Sequence, residues 1–150
     1  MCGGIGYKIS KFTKKQLKEY FSEEQITKAE SSGNIQVHFW SPKAIIPVII
    51  SDKHALVEWG NKDKNLHLPK TGWAREKSID QGKWKIFNPN FVTIDADMGY
   101  ENGIWFDIKK GIKGVLASRN NKERVYIVTR ESSPNYYKLI SHDREPVLVD

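Results

Sequence analysis

A single cysteine in 150 residues, Cys2, excludes an internal disulfide, so its presence needs another explanation. The chain contains no apolar run of bilayer-spanning length and no basic segment followed by an apolar one at its start. A cytoplasmic protein without a membrane partner, associated with the nucleoid only when bound to DNA, is therefore expected. The four histidines (His38, His54, His67 and His142) have no ligand spacing with Cys2, so neither a metal nor a cofactor is expected. Repeats, low-complexity tracts and linkers are missing too, and residues 1–150 read as one domain, expected to act as a monomer.

Hydrophobic residues make up 39% and charged residues 28%, ordinary values for a globular chain. The net charge of +6 fits a polyanionic partner, though a solvated basic surface gives the same number. The excess is uneven: through Arg75 there are 12 basic and 7 acidic residues, and beyond it 12 and 11.

Thr13 with Gln16, and Ser22 with Gln25, have capping-box spacing, and Phe12–Leu17 and Phe21–Ile26 have staple spacing. Two short helices are predicted over 13–31, ended by Ser32-Gly33-Asn34. Strands are predicted at 35–40, 45–51, 54–59, 91–95, 103–108, 112–117, 124–129 and 145–149, with helical turns near 76–82 and 133–140. Pro47 inside an apolar run points to an edge strand or bulge, and Asn102-Gly103 to a hairpin turn. The fold class is α+β: a curved or barrel-like, mainly antiparallel sheet with a few short helices.

The opening Met1-Cys2-Gly3-Gly4 is where the chemistry gathers. Removal of Met1 leaves an α-amine and a thiol on adjacent carbons, with ordinary pKa values of roughly 8 and 8.5. An amine condenses with an aldehyde to a Schiff base. The neighbouring sulfur can then close a thiazolidine ring, aided by its intramolecular position. The ring-opened sugar of an abasic site is such an aldehyde. The bland alternative is a small hydrophobe at a frayed terminus.

Several segments, in order, resemble the SOS-response-associated peptidase (SRAP) family. They are Met1-Cys2-Gly3, the run 42–50 (PKAIIPVII), Glu58-Trp59-Gly60, 72–78 (GWAREKS), 95–101 (DADMGYE) and 142–147 (HDREPV). The resemblance implies an SRAP-like fold and a DNA-repair role. Cys2 would crosslink covalently to abasic sites in single-stranded DNA, after Met1 is removed by the protein itself or by an aminopeptidase. It implies Glu101 and His142 as the other catalytic residues, with Arg75, Arg144, Trp59 and Trp73 on the DNA side. A histidine suits the general acid that expels water, and a carboxylate beside the α-amine can hold it and exchange its proton. Trp73 could stack on a base or lie in the core.

The chain also departs from the family pattern. Trp73 stands where the family has asparagine, Gly4 where it has arginine, Lys77 where it has glutamate, and Glu145 where it has methionine. Glu101 could equally be a solvated strand end, 142–144 a surface turn, and 75–77 a charged helix face. No Ser-His-Asp protease set is recognisable. Two other functions stay open. One is an N-terminal-nucleophile amidohydrolase such as a glutaminase, and the other a noncovalent module for single-stranded nucleic acid.

Overall fold

In the computed structural model, residues 2–150 are described and form an α+β fold of two β-sheets with short helices. Both expected capping boxes are made. Thr13 caps α1 (Lys14–Lys18) and Ser22 caps α2 (Glu23–Ser32), each with a reciprocal glutamine side chain. Gly33, at φ 82°, ends α2 in the left-handed conformation that glycine adopts without strain.

The smaller sheet joins β1 (Gly4–Lys8), β2 (Asn34–His38), β7 (Met98–Glu101) and β8 (Ile104–Asp107) in the order β2-β1-β7-β8, all antiparallel. Asn102 and Gly103, at φ 49° and 77°, make the tight turn between β7 and β8. The larger sheet runs β11-β10-β9-β6-β3-β4, with β5 alongside β10. Its strands are β3 (Ile45–Ile50), β4 (Lys53–Glu58), β5 (Trp73–Arg75), β6 (Asn90–Ile94), β9 (Ile112–Arg119), β10 (Lys122–Glu131) and β11 (Arg144–Pro146). Pairing within it is antiparallel except for β5 on β10.

This sheet curls without closing. Trp59, just past β4, makes an isolated bridge to Val125 of β10, across the sheet order, and the Gly60 amide bonds the Val125 carbonyl at 2.7 Å. Curling gives the sheet an inside. Ile46, Val48, Ile94, Ile112, Val125 and Ile127 line it and meet Cys2, Ile5 and Tyr7 of the smaller sheet in one core. On its other face Tyr126 and Val128 pack with Trp84, Val115 and Ala117. Burial on both faces explains why the centre of β10, Val125 to Val128, is apolar without alternation.

Three expectations need correction. Pro47 is not on an edge, because β3 lies between β4 and β6. Pairing with β6 spans only Val48 and Ile49, and the Pro47 carbonyl accepts from Asp95 N at 2.9 Å where that ladder ends. The proline ring therefore removes a donor only at the last rung. The run 145–149 keeps to β10 through Val147, whose amide bonds the Val128 carbonyl at 2.9 Å, and then crosses to the start of β9, where Val149 N bonds the Gly111 carbonyl at 3.0 Å. Three short strands, β1, β5 and β7, were not anticipated, and two of them are glycine-rich.

Two helices complete the frame: α3 (Glu76–Asp80), directly after β5, and α4 (Pro134–Ile140), between β10 and β11. No helix among the described residues is long and apolar enough to cross a membrane.

Candidate functional site

Cys2 is fully buried (0% exposed), which excludes a frayed terminus. Its neighbours clamp it from three elements. Gly3 N donates to the Tyr100 carbonyl at 2.7 Å, Phe39 N donates to the Gly3 carbonyl at 3.0 Å, and the Trp73 indole N–H donates to the Cys2 carbonyl at 2.9 Å. The thiol points to the Gly4 carbonyl at 3.0 Å. Burial pushes the thiol pKa up to about 11; backbone hydrogen bonding at Tyr100 and Gly4 opposes part of this, and the Glu101 charge adds to it. At neutral pH the sulfur is thus a protonated thiol, not the partly ionised group that a free cysteine offers.

Two glycines make this packing possible. A β-carbon on Gly99 would lie 2.5 Å from Phe106 and 3.2 Å from the Cys2 sulfur. One on Gly4 would lie 2.7 Å from His38 Nδ1. The ring of His38 occupies the place of any side chain at position 4, which accounts for glycine where the resemblance leads one to expect arginine.

Glu101 ends β7 beside this terminus, its Oε2 within 3.6 Å of where a Gly3 side chain would begin. The next residue, Asn102, donates to the Ile140 carbonyl at 2.9 Å, fastening the turn to the C-terminus of α4. His142 follows two residues later. Arg144 N donates to His142 Nδ1 at 3.0 Å, so the neutral ring carries its proton on Nε2. The carboxylate of Asp143, 3.3 Å from the same Nδ1, binds only the protonated ring. The Ser132 hydroxyl donates to the His142 carbonyl at 2.6 Å and holds this loop on the end of β10.

Arg144 reaches Thr129 Oγ1 at 3.2 Å, and Thr129 is the cross-strand partner of Arg75. Arg75 and Arg144 line one concavity of about 410 Å³ with Glu131 and Asp143. Trp73 is two residues before Arg75 on β5, on the same side of the strand. Cys2, Glu101, His142, Arg144, Arg75 and Trp73 therefore form a circuit of neighbouring segments that starts and ends at Cys2.

Trp59 is outside that circuit. It is 1% exposed and its indole N–H donates to the Gly72 carbonyl at 2.9 Å, so it offers no face to a strand of DNA. Its role is support: Trp59, Trp73 and Phe39 pack ring against ring beneath the terminus. Trp73 is half-buried in this group, and its one polar atom serves Cys2. Glu145, the other departure, is buried and structural. Its carboxylate binds Arg130 Nε at 2.9 Å and the Ser133 amide and hydroxyl at 3.3 Å, fixing the start of α4.

Sequence reasoning missed several neighbours. Tyr136 of α4 stands close enough to Cys2, Glu101 and Glu145 for all three charges to raise its pKa, after burial itself. Its ring packs edge-on against Phe106 at 6.0 Å. His38, Trp40, Tyr100 and Trp105 form an aromatic group at the other border of the site. Only their aromatic character marked them, and no spacing set them apart. Among the described residues no group of three or more His, Cys, Asp or Glu side chains is arranged to hold a metal ion. No family model, curated protein or solved structure matches this chain.

Proposed function

We propose that the chain captures abasic sites in single-stranded DNA by forming a thiazolidine at Cys2, as its resemblance to the SRAP family implies. The observation that carries this reading is the circuit itself. Segments 73–75 and 101–102, far apart in sequence, both reach the buried Cys2 and its neighbour Gly3, and 142–144 joins them at one remove through Ile140 and Thr129. Met1, whose removal the chemistry requires, lies outside the described residues.

The steps balance without an oxidant or a metal. The α-amine nitrogen of Cys2 adds to the aldehyde carbon of the ring-opened sugar. The resulting carbinolamine loses its hydroxyl as water, taking a proton from a general acid. The sulfur then adds to the iminium carbon as its S–H proton departs, leaving a five-membered secondary amine and one released water. Glu101, beside the terminus, suits the exchange of protons with the amine and the thiol. His142, as the imidazolium, suits the acid that expels water. The protonated thiol makes the amine the first nucleophile.

The test is a denaturation-resistant complex between purified protein and an oligonucleotide with one abasic site. Its mass should be the sum of the parts less one water, with Met1 absent. Cys2→Ala should give no adduct, and equal yield from that variant would overturn the reading. Glu101→Gln and His142→Ala should each slow capture on the order of 100-fold, the range of positioned acid–base groups. Glu101→Gln should slow it most at lower pH, where the amine is protonated. Normal rates in folded protein for both would remove their acid–base roles.

A further inference from the structure

We infer that the indole of Trp40 is a stacking platform for the nucleobase next to the captured sugar. The inference rests on the reading above for the choice of single-stranded DNA as occupant. Trp40 is 65% exposed, yet it is rigidly backed. The His38 ring lies under it at 4.4 Å between centroids and 20° between planes. His38 is braced in turn by Tyr100, edge-on at 4.9 Å, and by Trp105 at 5.8 Å. Burial lowers the His38 pKa, so the supporting ring is neutral. Its Nδ1 is buried without a hydrogen-bond partner, an arrangement that costs stability, so packing alone holds the ring beneath Trp40.

Position and charge select the occupant. The space where a Gly3 side chain would begin lies 3.4 Å from the Trp40 ring and 3.6 Å from Glu101 Oε2, so the platform borders the terminus. Two ammonium groups are anchored on or near the segment that carries it. Lys62 bonds the carbonyl of Ser41, the residue after Trp40, and sits 5.0 Å over the Phe39 ring. Lys43, three residues past Trp40, lies 5.5 Å over the Tyr20 ring. An open aromatic face with cations nearby is the arrangement that holds single strands, with bases stacked and phosphates neutralised.

The experiment uses undamaged oligothymidylate, which has no aldehyde and cannot react with Cys2. Binding should quench tryptophan fluorescence, and Trp40→Ala should remove most of the quenching and weaken binding about ten-fold or more. Trp40→Phe should restore much of the affinity. Unchanged affinity and quenching in Trp40→Ala protein that melts normally would overturn the platform. So would a wild-type protein that binds no oligothymidylate at low salt, or one whose Trp40 instead governs self-association by gel filtration. Adduct formation is scored separately on abasic DNA. Adduct without Trp40-dependent binding sinks the platform alone, and Trp40-dependent binding without adduct sinks the capture chemistry alone.

Discussion

Burying a thiol penalises its thiolate, and at Cys2 that effect outweighs the backbone hydrogen bonds that favour the anion. The raised value has two consequences. At pH 8, lifting the thiol by the shift from 9.0 to about 11 lowers the thiolate fraction by about 100-fold, and by somewhat more against a free thiol at roughly 8.5. Iodoacetamide should therefore label Cys2 in the folded protein about 100-fold or more slowly than in the urea-unfolded chain. Comparable rates would mean the sulfur is accessible and ionised. The second consequence is a linkage. Because the fold favours the neutral thiol, this contribution to stability is intact below about pH 9 and is lost as the pH rises towards 11. Cys2→Ala should flatten the first part of that alkaline decline in melting temperature. Tyr7, Tyr126 and Tyr136, whose pKa values burial also raises from 10.0, should govern the later part.

Among the elements, the glycine-bearing strands β1 and β7 do the most to shape the site, because a missing side chain on one strand makes room for a ring or a sulfur from another. Gly99 is the sharpest case, with Phe106 and the Cys2 sulfur both against the place a β-carbon would take. Its backbone is ordinary strand, so the penalty for a side chain there is steric. Gly99→Ala should destabilise the protein by about 1–3 kcal/mol through overpacking, seen as a lower melting temperature. Shrinking the ring with Phe106→Leu in the same chain should recover part of the loss. A melting temperature unchanged by Gly99→Ala would mean that Phe106 moves aside freely. The segment 95–97 joins the two sheets: Asp95 N bonds Pro47 of the larger and Asp97 N bonds Gly6 of the smaller, both through carbonyls. Burial would raise the Asp95 pKa, but hydrogen bonds from Lys11 and His54 outweigh it and hold the carboxyl below its ordinary value. The junction thus loses support as the medium becomes acidic.

For the whole molecule, the relevant quantity is the uneven charge. The basic excess through Arg75 includes Lys62, bonded to the carbonyl of Ser41 next to Trp40, Lys43 three residues past Trp40, and Arg75 in a concavity with Arg144, Glu131 and Asp143. Binding of undamaged single-stranded DNA should weaken as salt rises, with a log–log slope of roughly −0.7 for each phosphate neutralised. Lys43→Ala together with Lys62→Ala should make that slope shallower. Affinity independent of salt would mean that these cations are not the DNA surface.

What was legible in the sequence was local. Thr13, Gln16, Ser22 and Gln25 announce two helices because a capping box is complete within four residues, and Asn102-Gly103 announces a hairpin because two left-handed residues suffice. The α+β class and most strands followed from alternation and β-branched runs. Strands β1, β5 and β7 were not legible, since runs of three to five residues, two of them interrupted by glycine, are too short to carry a hydrophobic pattern and gain strand structure only from their partners. The site divides in the same way. The terminal cysteine and the segments resembling a known family could be named from the chain alone. Only tertiary packing buried Cys2 and protonated its thiol, sent Trp59 into the core, and turned the Trp73 N–H onto the Cys2 carbonyl. The same packing stacked Trp40 on His38 at the border of the terminus. Burial and ring stacking depend on residues brought together from distant parts of the chain, and no short window of sequence contains both partners.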